Sequence, residues 1–132
     1  MSRKVAREDC FKLVFEYQFL NLKNELTLEE FLSDNDLVED DKEYIKLIYN
    51  GIIEHNNEIL EIIEKHLNNY SLSRLYKIDL AILTLAVYEL KYEKSLPRAV
   101  VINEAVEIAK KYSTEKSYSF INGVLASIVK EG

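Results

Sequence analysis

The sequence predicts an all-α fold made of two packed helical subdomains, each resembling a three-helix bundle. Glycine and proline are scarce, with three and one among 132 residues, whereas β folds consume such residues at every hairpin. Glu, Lys, Leu, Ile and Ala dominate, and most of these favour helices. Apolar residues recur at helical spacing. We interpret 1–132 as a single domain, divided into an N-terminal subdomain of about 1–68 and a C-terminal subdomain of about 69–132.

The N-terminal half begins with a predicted helix over 3–21, whose apolar stripe comprises Ala6, Cys10, Leu13, Val14, Tyr17 and Leu20. Thr27 and Glu30 form a capping-box pattern, which predicts a short helix from Thr27 to about Leu32. The polar run 33–36 is typical of a loop.

A long helix is predicted to begin at Asp40, with Glu43 in the capping-box position. Its apolar stripe comprises Ile45, Ile48, Ile52, Ile59, Ile63 and Leu67. The pattern is interrupted at 55–57, where we expect the helix to bend or to expose that turn. Asn68 and Asn69 are predicted to end it.

The C-terminal half is predicted to contain a central helix over 73–92. Its apolar stripe comprises Leu75, Ile78, Ile82, Leu85 and Tyr88, and alanines beside this stripe extend the apolar surface around the helix. Pro97 suits the first turn of a helix over 98–112, and Thr114 suits the N-cap of a last helix. In that helix the apolar pairs continue in phase through Asn122 and Gly123. We therefore expect an unbroken helix with Gly123 at a close helix crossing.

The sequence contains no residue pattern that predicts an active site. Cys10 is the only cysteine, so a disulfide and a thiolate metal cluster are excluded. His55 and His66 are three helical turns apart, too far to share a metal, and we interpret both as surface or interface residues. No phosphate-binding glycine loop occurs. We expect no catalytic residue, metal or cofactor. Without an apolar leader or a spanning apolar run, we expect a cytoplasmic protein that does not enter a membrane.

The charge distribution leaves nucleic-acid binding open. The net charge is −6, but residues 1–70 hold 8 basic and 16 acidic residues, whereas 71–132 hold 9 and 7. Arg3, Lys4 and Arg7 open the first helix, where cations oppose the helix dipole. They are either a solvated helix start or phosphate contacts. By its spacing Phe120 is either core or a ring that stacks on an unpaired base, and the residues alone favour core.

An ordered set of motifs in the second half resembles the NusB family. The set comprises KIDLAIL at 77–83, AVYEL at 86–90, Pro97, INEAVEIAK at 102–110 and FINGVL at 120–125. The opening helix from Arg3 to Tyr17 is also similar to that family. The resemblance covers nearly the whole chain and is weakest over 22–66.

This resemblance implies a transcription antitermination factor and not an enzyme. It implies binding to boxA RNA together with the ribosomal protein NusE, and association with the RNA polymerase elongation complex through other Nus factors. Such a factor promotes transcription of ribosomal RNA operons. By correspondence with the family's motifs, the implied RNA-binding residues are Arg3, Lys4, Arg7, Lys116, Ser117 and Phe120. Asp79 is the implied contact with NusE.

One departure from the family bears on affinity. Val5 interrupts the basic run that opens many members, and fewer phosphate contacts mean weaker RNA binding and a shallower salt dependence. We therefore expect the affinity for RNA to depend strongly on NusE.

Two other functions fit the same residues. The chain could be the RNA-recognition domain of a ribosomal RNA methyltransferase, although a start at Met1 and an end at Gly132 argue against a fragment. It could also be a helical interaction module that does not bind RNA, in which case reversing the charges at Arg3, Lys4 and Arg7 would leave function intact.

Overall fold

A computed structural model describes residues 2–68 and 71–131. Over these residues the chain forms seven α-helices, one short 3-10 helix at Leu72–Arg74 and no β-strand, which confirms the all-α prediction. The α-helices are α1 (Ser2–Leu20), α2 (Glu25–Leu32), α3 (Glu39–Glu54), α4 (Asn56–Lys65), α5 (Lys77–Tyr92), α6 (Arg98–Tyr112) and α7 (Glu115–Glu131).

The central helix is α5, as predicted from its apolar width. Every residue from Asp79 to Glu89 is buried, because α1, α3, α4, α6 and α7 all pack around it. A helix that is apolar on nearly all sides needs such a complete enclosure. At 1.5 Å per residue α5 is about 24 Å long, so its two ends define two separate regions of the surface.

One continuous core joins the two halves of the chain. All six apolar residues of the predicted 40–68 stripe are buried in it. Since α1 packs on both α3 and α5, the division near residue 68 stays an interpretation. Asn68 has a left-handed φ of 46°, as suits a residue that ends a helix, whereas Asn69 lies outside the described residues.

The predicted capping box of α2 is wrong. The N-cap is Asn24, whose Oδ1 accepts hydrogen bonds from the backbone N–H groups of Leu26 at 3.1 Å and Thr27 at 3.2 Å. Asparagine caps at least as well as threonine. The hydroxyl of Thr27 instead donates to Glu16 Oε2 on α1 at 2.9 Å, a partner that local sequence does not reveal.

Two other helix starts differ from the prediction, whereas the expected interruption at 55–57 is present. Helix α3 begins at Glu39, one residue before Asp40, and Val38 caps it without a side-chain hydrogen bond. The long helix divides at His55, whose ring stacks on Tyr92 with 4.4 Å between centroids. The central helix begins at Lys77, four residues later than expected, after the 3-10 turn.

The C-terminal helices follow the prediction more closely. Helix α6 has the expected bounds, with Pro97 at its N-cap instead of in its first turn. Thr114 caps α7 as predicted, since its Oγ1 accepts from the backbone N–H of Ser117 at 3.1 Å. His66 is buried at the end of α4, so of the two expected positions, surface or interface, the surface is excluded.

The predicted close crossing is at a different glycine. Helix α7 continues through Gly123, but a Cβ there would meet no atom within 4 Å. At Gly51 on α3 a Cβ would collide with the ring and hydroxyl of Tyr88 on α5. The close approach therefore lies between α3 and α5.

We expect the two glycines to respond in opposite directions to alanine. Gly51→Ala should lower the free energy of unfolding by about 1 kcal/mol, since overpacking of about 1–3 kcal/mol outweighs the helix preference of alanine. Gly123→Ala should raise it by about 0.5–1 kcal/mol. Urea unfolding measures both. In a Tyr88→Leu background, which removes the ring as well as the hydroxyl, the cost at Gly51 should shrink, and an unchanged cost would contradict the proposed collision.

Asp9 on α1 should make stability fall as pH rises. Its carboxyl is 6% exposed, and burial, reinforced by Asp34 and Glu8 against Lys12, raises its pKa to about 6. The folded protein therefore takes up a proton between about pH 4 and pH 6, where the unfolded chain does not. Charged Asp9 then costs the folded state about 3 kcal/mol well above pH 6.

Asp9→Asn should accordingly be more stable than the wild type at pH 7, with the difference vanishing near pH 4. Unfolding curves across this range test it, and the exposed Asp36→Asn serves as control. A constant difference at all pH values would show that Asp9 is not the titrating group.

Candidate nucleic-acid interface

Arg7 lies inside the protein, paired with a carboxylate of the central helix. Its Nε is 3.4 Å from both carboxylate oxygens of Glu89, and the two side chains are 8% and 2% exposed. Tyr44 on α3 donates its hydroxyl to Glu89 Oε2 at 2.7 Å. Burial alone would lower the pKa of Arg7, but the Glu89 charge raises it. Burial and the same carboxylate raise the pKa of Tyr44, which stays a neutral donor.

This placement corrects the expectation that Arg7 lies exposed at the surface, whereas its role in RNA binding stays a prediction. A guanidinium enclosed by Glu89 is not on the surface where a phosphate would meet it. The sequence could not reveal this, because Glu89 follows Arg7 by 82 positions. Arg7 instead fixes α1 against α5 and so positions the residues that precede it on α1.

Arg3 and Lys4 remain at the surface. The Nε of Arg3 donates to Asp41 Oδ1 at 2.7 Å, and its guanidinium lies 4.2 Å from the centre of the Tyr44 ring, with the side chain 42% exposed. Lys4 is exposed beside a shallow depression that Lys110 and Lys111 also line. The start of α1 therefore presents two cations to solvent, Arg3, which is paired with Asp41, and the exposed Lys4.

Lys116 and Phe120 form a second exposed group, on α7. They are four residues apart and hence on one face of the helix. Lys116 is exposed, and Phe120 is half-buried with part of its ring packed on the core. Both line a surface pocket of about 310 Å³ to which Arg74 and Tyr76 also contribute. A cation beside an accessible ring is an arrangement that suits single-stranded nucleic acid.

Ser117 and Asp79 lie beneath this second group. The hydroxyl of Ser117 donates to Asp79 Oδ2 at 2.8 Å, and that of Ser113 donates to Asp79 Oδ1 at 2.6 Å. Both Ser117 and Asp79 are buried. The structure thus places the implied RNA residue Ser117 and the implied NusE residue Asp79 in one internal network, which attaches the turn between α6 and α7 to α5.

Two residues of the pocket, Arg74 and Tyr76, were missed by sequence reasoning. Both were assigned to the central helix, and nothing distinguished them there from its other residues. The 3-10 turn sets them apart and directs them to the same pocket as Phe120. An exposed Tyr followed by Lys77 was the signal that could have drawn attention to this segment.

The described residues hold no group of three side chains able to bind a metal ion. The Cys10 thiol is fully buried, and burial raises its pKa well above the usual value, so it is a poor nucleophile. Among residues 2–68 and 71–131 no helix is long and apolar enough to cross a membrane.

Comparisons with known proteins all identify the same family. The NusB family model matches residues 4–130. The transcription antitermination protein NusB of Finegoldia magna is 43% identical over 130 residues, which cover 98% of this chain and 95% of that protein. The protein of the same name from Clostridium botulinum strain Alaska E43 is 47% identical over 134 residues, which cover 99% and 100%.

Two solved structures share the fold. A structure of T. maritima NusB has a TM-score of 0.91 and 39% identity, covering 99% of this chain and 92% of that chain. A crystal structure of the antitermination factors NusB and NusE in complex with dsRNA has a TM-score of 0.88 and 32% identity, covering 99% and 98%.

Glu89→Gln should lower the free energy of unfolding by about 3–5 kcal/mol, because it leaves the buried Arg7 without its counter-charge. Glu43→Gln, which breaks the exposed pair with Lys46, should change it by no more than about 0.5 kcal/mol. Urea unfolding measures both. The double variant Arg7→Met, Glu89→Leu should recover most of the loss, and a loss below about 1 kcal/mol for Glu89→Gln would refute the role of the pair.

Proposed function

The chain belongs to the NusB family, and from this membership we propose that it is a transcription antitermination factor. It binds boxA RNA together with NusE and promotes transcription of ribosomal RNA operons. It acts in the cytoplasm, without enzymatic activity, and joins the RNA polymerase elongation complex through other Nus factors. The observation that carries the proposal to specific atoms is the exposed Lys116 beside the half-buried ring of Phe120 on one face of α7.

The proposed RNA-binding residues fall into two classes by their exposure. Arg3, Lys4 and Lys116 contact phosphates, and Phe120 stacks on an unpaired base. Arg7 and Ser117 are buried, so their contribution is to hold α1 and α7 in place.

Asp79 contributes to the NusE interface in a similar, indirect way. Its oxygens already accept from Ser113 and Ser117, so it acts by fixing the turn between α6 and α7.

The first test is a titration of boxA RNA against the chain, with and without NusE, at two salt concentrations and beside a scrambled RNA. We expect binding that prefers boxA, tightens with NusE and weakens with salt. Lys116→Gln should reduce the slope of log affinity against log salt by about 0.7, the value for one phosphate contact to a single strand. Phe120→Ala should weaken binding by about 1–3 kcal/mol without changing that slope.

Lys94→Gln is the matched control, since it removes an exposed cation beyond the other end of α5. It should leave both affinity and slope close to those of the wild type. Equal binding of boxA and scrambled RNA in the presence of NusE would exclude the proposed function. Equal affinity with and without NusE would exclude the expected dependence on that partner.

A further inference from the structure

We propose that the pocket between the 3-10 turn and α7 holds one unpaired base of the bound RNA. Tyr76 and Phe120 supply its stacking surfaces, and Arg74 and Lys116 hold the phosphates on either side. This inference rests on the proposed function and adds Arg74 and Tyr76 to it.

The size of the pocket fits a single nucleotide. Its volume of about 310 Å³ is at the lower end of the range for small-molecule sites. The walls come from two separate segments, residues 74–79 and 114–120. A longer stretch of RNA would have to continue along the surface outside it.

Tyr76 is the most exposed aromatic ring of the pocket. Its residue is 66% exposed, yet its backbone is fixed, because its carbonyl accepts from the N–H of Leu80 at 3.0 Å and so starts α5. Tyrosine is enriched at binding interfaces, because its ring is apolar and its hydroxyl is polar. The ring face suits a nucleobase, because every base can stack on it.

The cations of the pocket are available for phosphate. Among the described residues, Arg74 and Lys116 take part in no ion pair, whereas Lys91, Lys110 and Lys111 are each paired with a glutamate. Arg74 and Lys116 belong to the two different chain segments that line the pocket. Two phosphates flanking one inserted nucleotide could therefore each meet a cation.

Asp79 decides which part of a nucleotide enters. Its buried carboxylate contributes to the pocket wall, and a negative charge there repels phosphate. The base, which is uncharged, is therefore the part that enters, while the phosphates stay at the exposed cations. The alternative occupant, an apolar side chain of a protein partner, is separated by the experiment below.

The test combines Tyr76→Ala with a set of boxA RNAs that each carry one abasic nucleotide. Each RNA is titrated against the complex with NusE by fluorescence anisotropy. With intact RNA we expect Tyr76→Ala to weaken binding between about fivefold and a hundredfold, the range for loss of one stacked base. With the base missing at one particular position, the same substitution should have no further effect.

Two variants serve as controls. Tyr76→Phe keeps the ring and should bind within about twofold of the wild type. Phe19→Ala removes a ring of similar exposure, 60%, outside the pocket and should also bind normally. Thermal unfolding monitored by circular dichroism confirms that each variant is folded.

Three results would overturn the inference: no effect of Tyr76→Ala on RNA affinity, an equal effect at every abasic position, or a weaker affinity for NusE measured without RNA. The last would assign the pocket to the protein partner. The proposed function is judged separately, by the preference of the wild-type complex for boxA over scrambled RNA, so the two can fail independently.

Discussion

Glu89 is a carboxylate enclosed in the middle of the protein, and Arg7 from α1 and Tyr44 from α3 meet on it. A charge without water must be paired and hydrogen-bonded, so these two helices are held in one position relative to α5. Tyr44 extends the constraint outward, because its ring lies beneath the guanidinium of Arg3. The exposed cations at the start of α1 thus depend on an interior ion pair.

Asp79 is the corresponding buried carboxylate at the other end of α5. Ser113 and Ser117 donate to its two oxygens and hold the start of α7, which carries Lys116 and Phe120. The central helix therefore has two buried carboxylates ten residues apart, and each fastens one exposed group of the candidate interface. Surface residues that bind a ligand need such support, since a loosely held side chain loses rotational freedom on binding.

Periodicity predicted the helices well, because burial of one face imposes an apolar repeat on the outer helices and burial on nearly all sides makes α5 apolar throughout. The Ile stripe of 40–68 and the enclosure of α5 followed from it directly. The errors at Thr27, Arg7 and Gly123 have a different origin. Each depends on what a neighbouring helix places opposite, such as Glu16 for Thr27 or Glu89 for Arg7. The local spacing of residues contains no information about such partners. It therefore indicated which residues matter but not how deeply they are buried.

The enclosure of α5 also has a consequence for synthesis on the ribosome. Helices that surround α5 come from both sides of it in the chain, with α1, α3 and α4 made before it and α6 and α7 after it. A nascent chain that ends at Tyr92 carries a nearly all-apolar helix that still lacks two of the five helices that pack around it. Because contacts between distant segments cannot form until both exist, the N-terminal part must wait for the final helices, and chaperones would meet it in that interval.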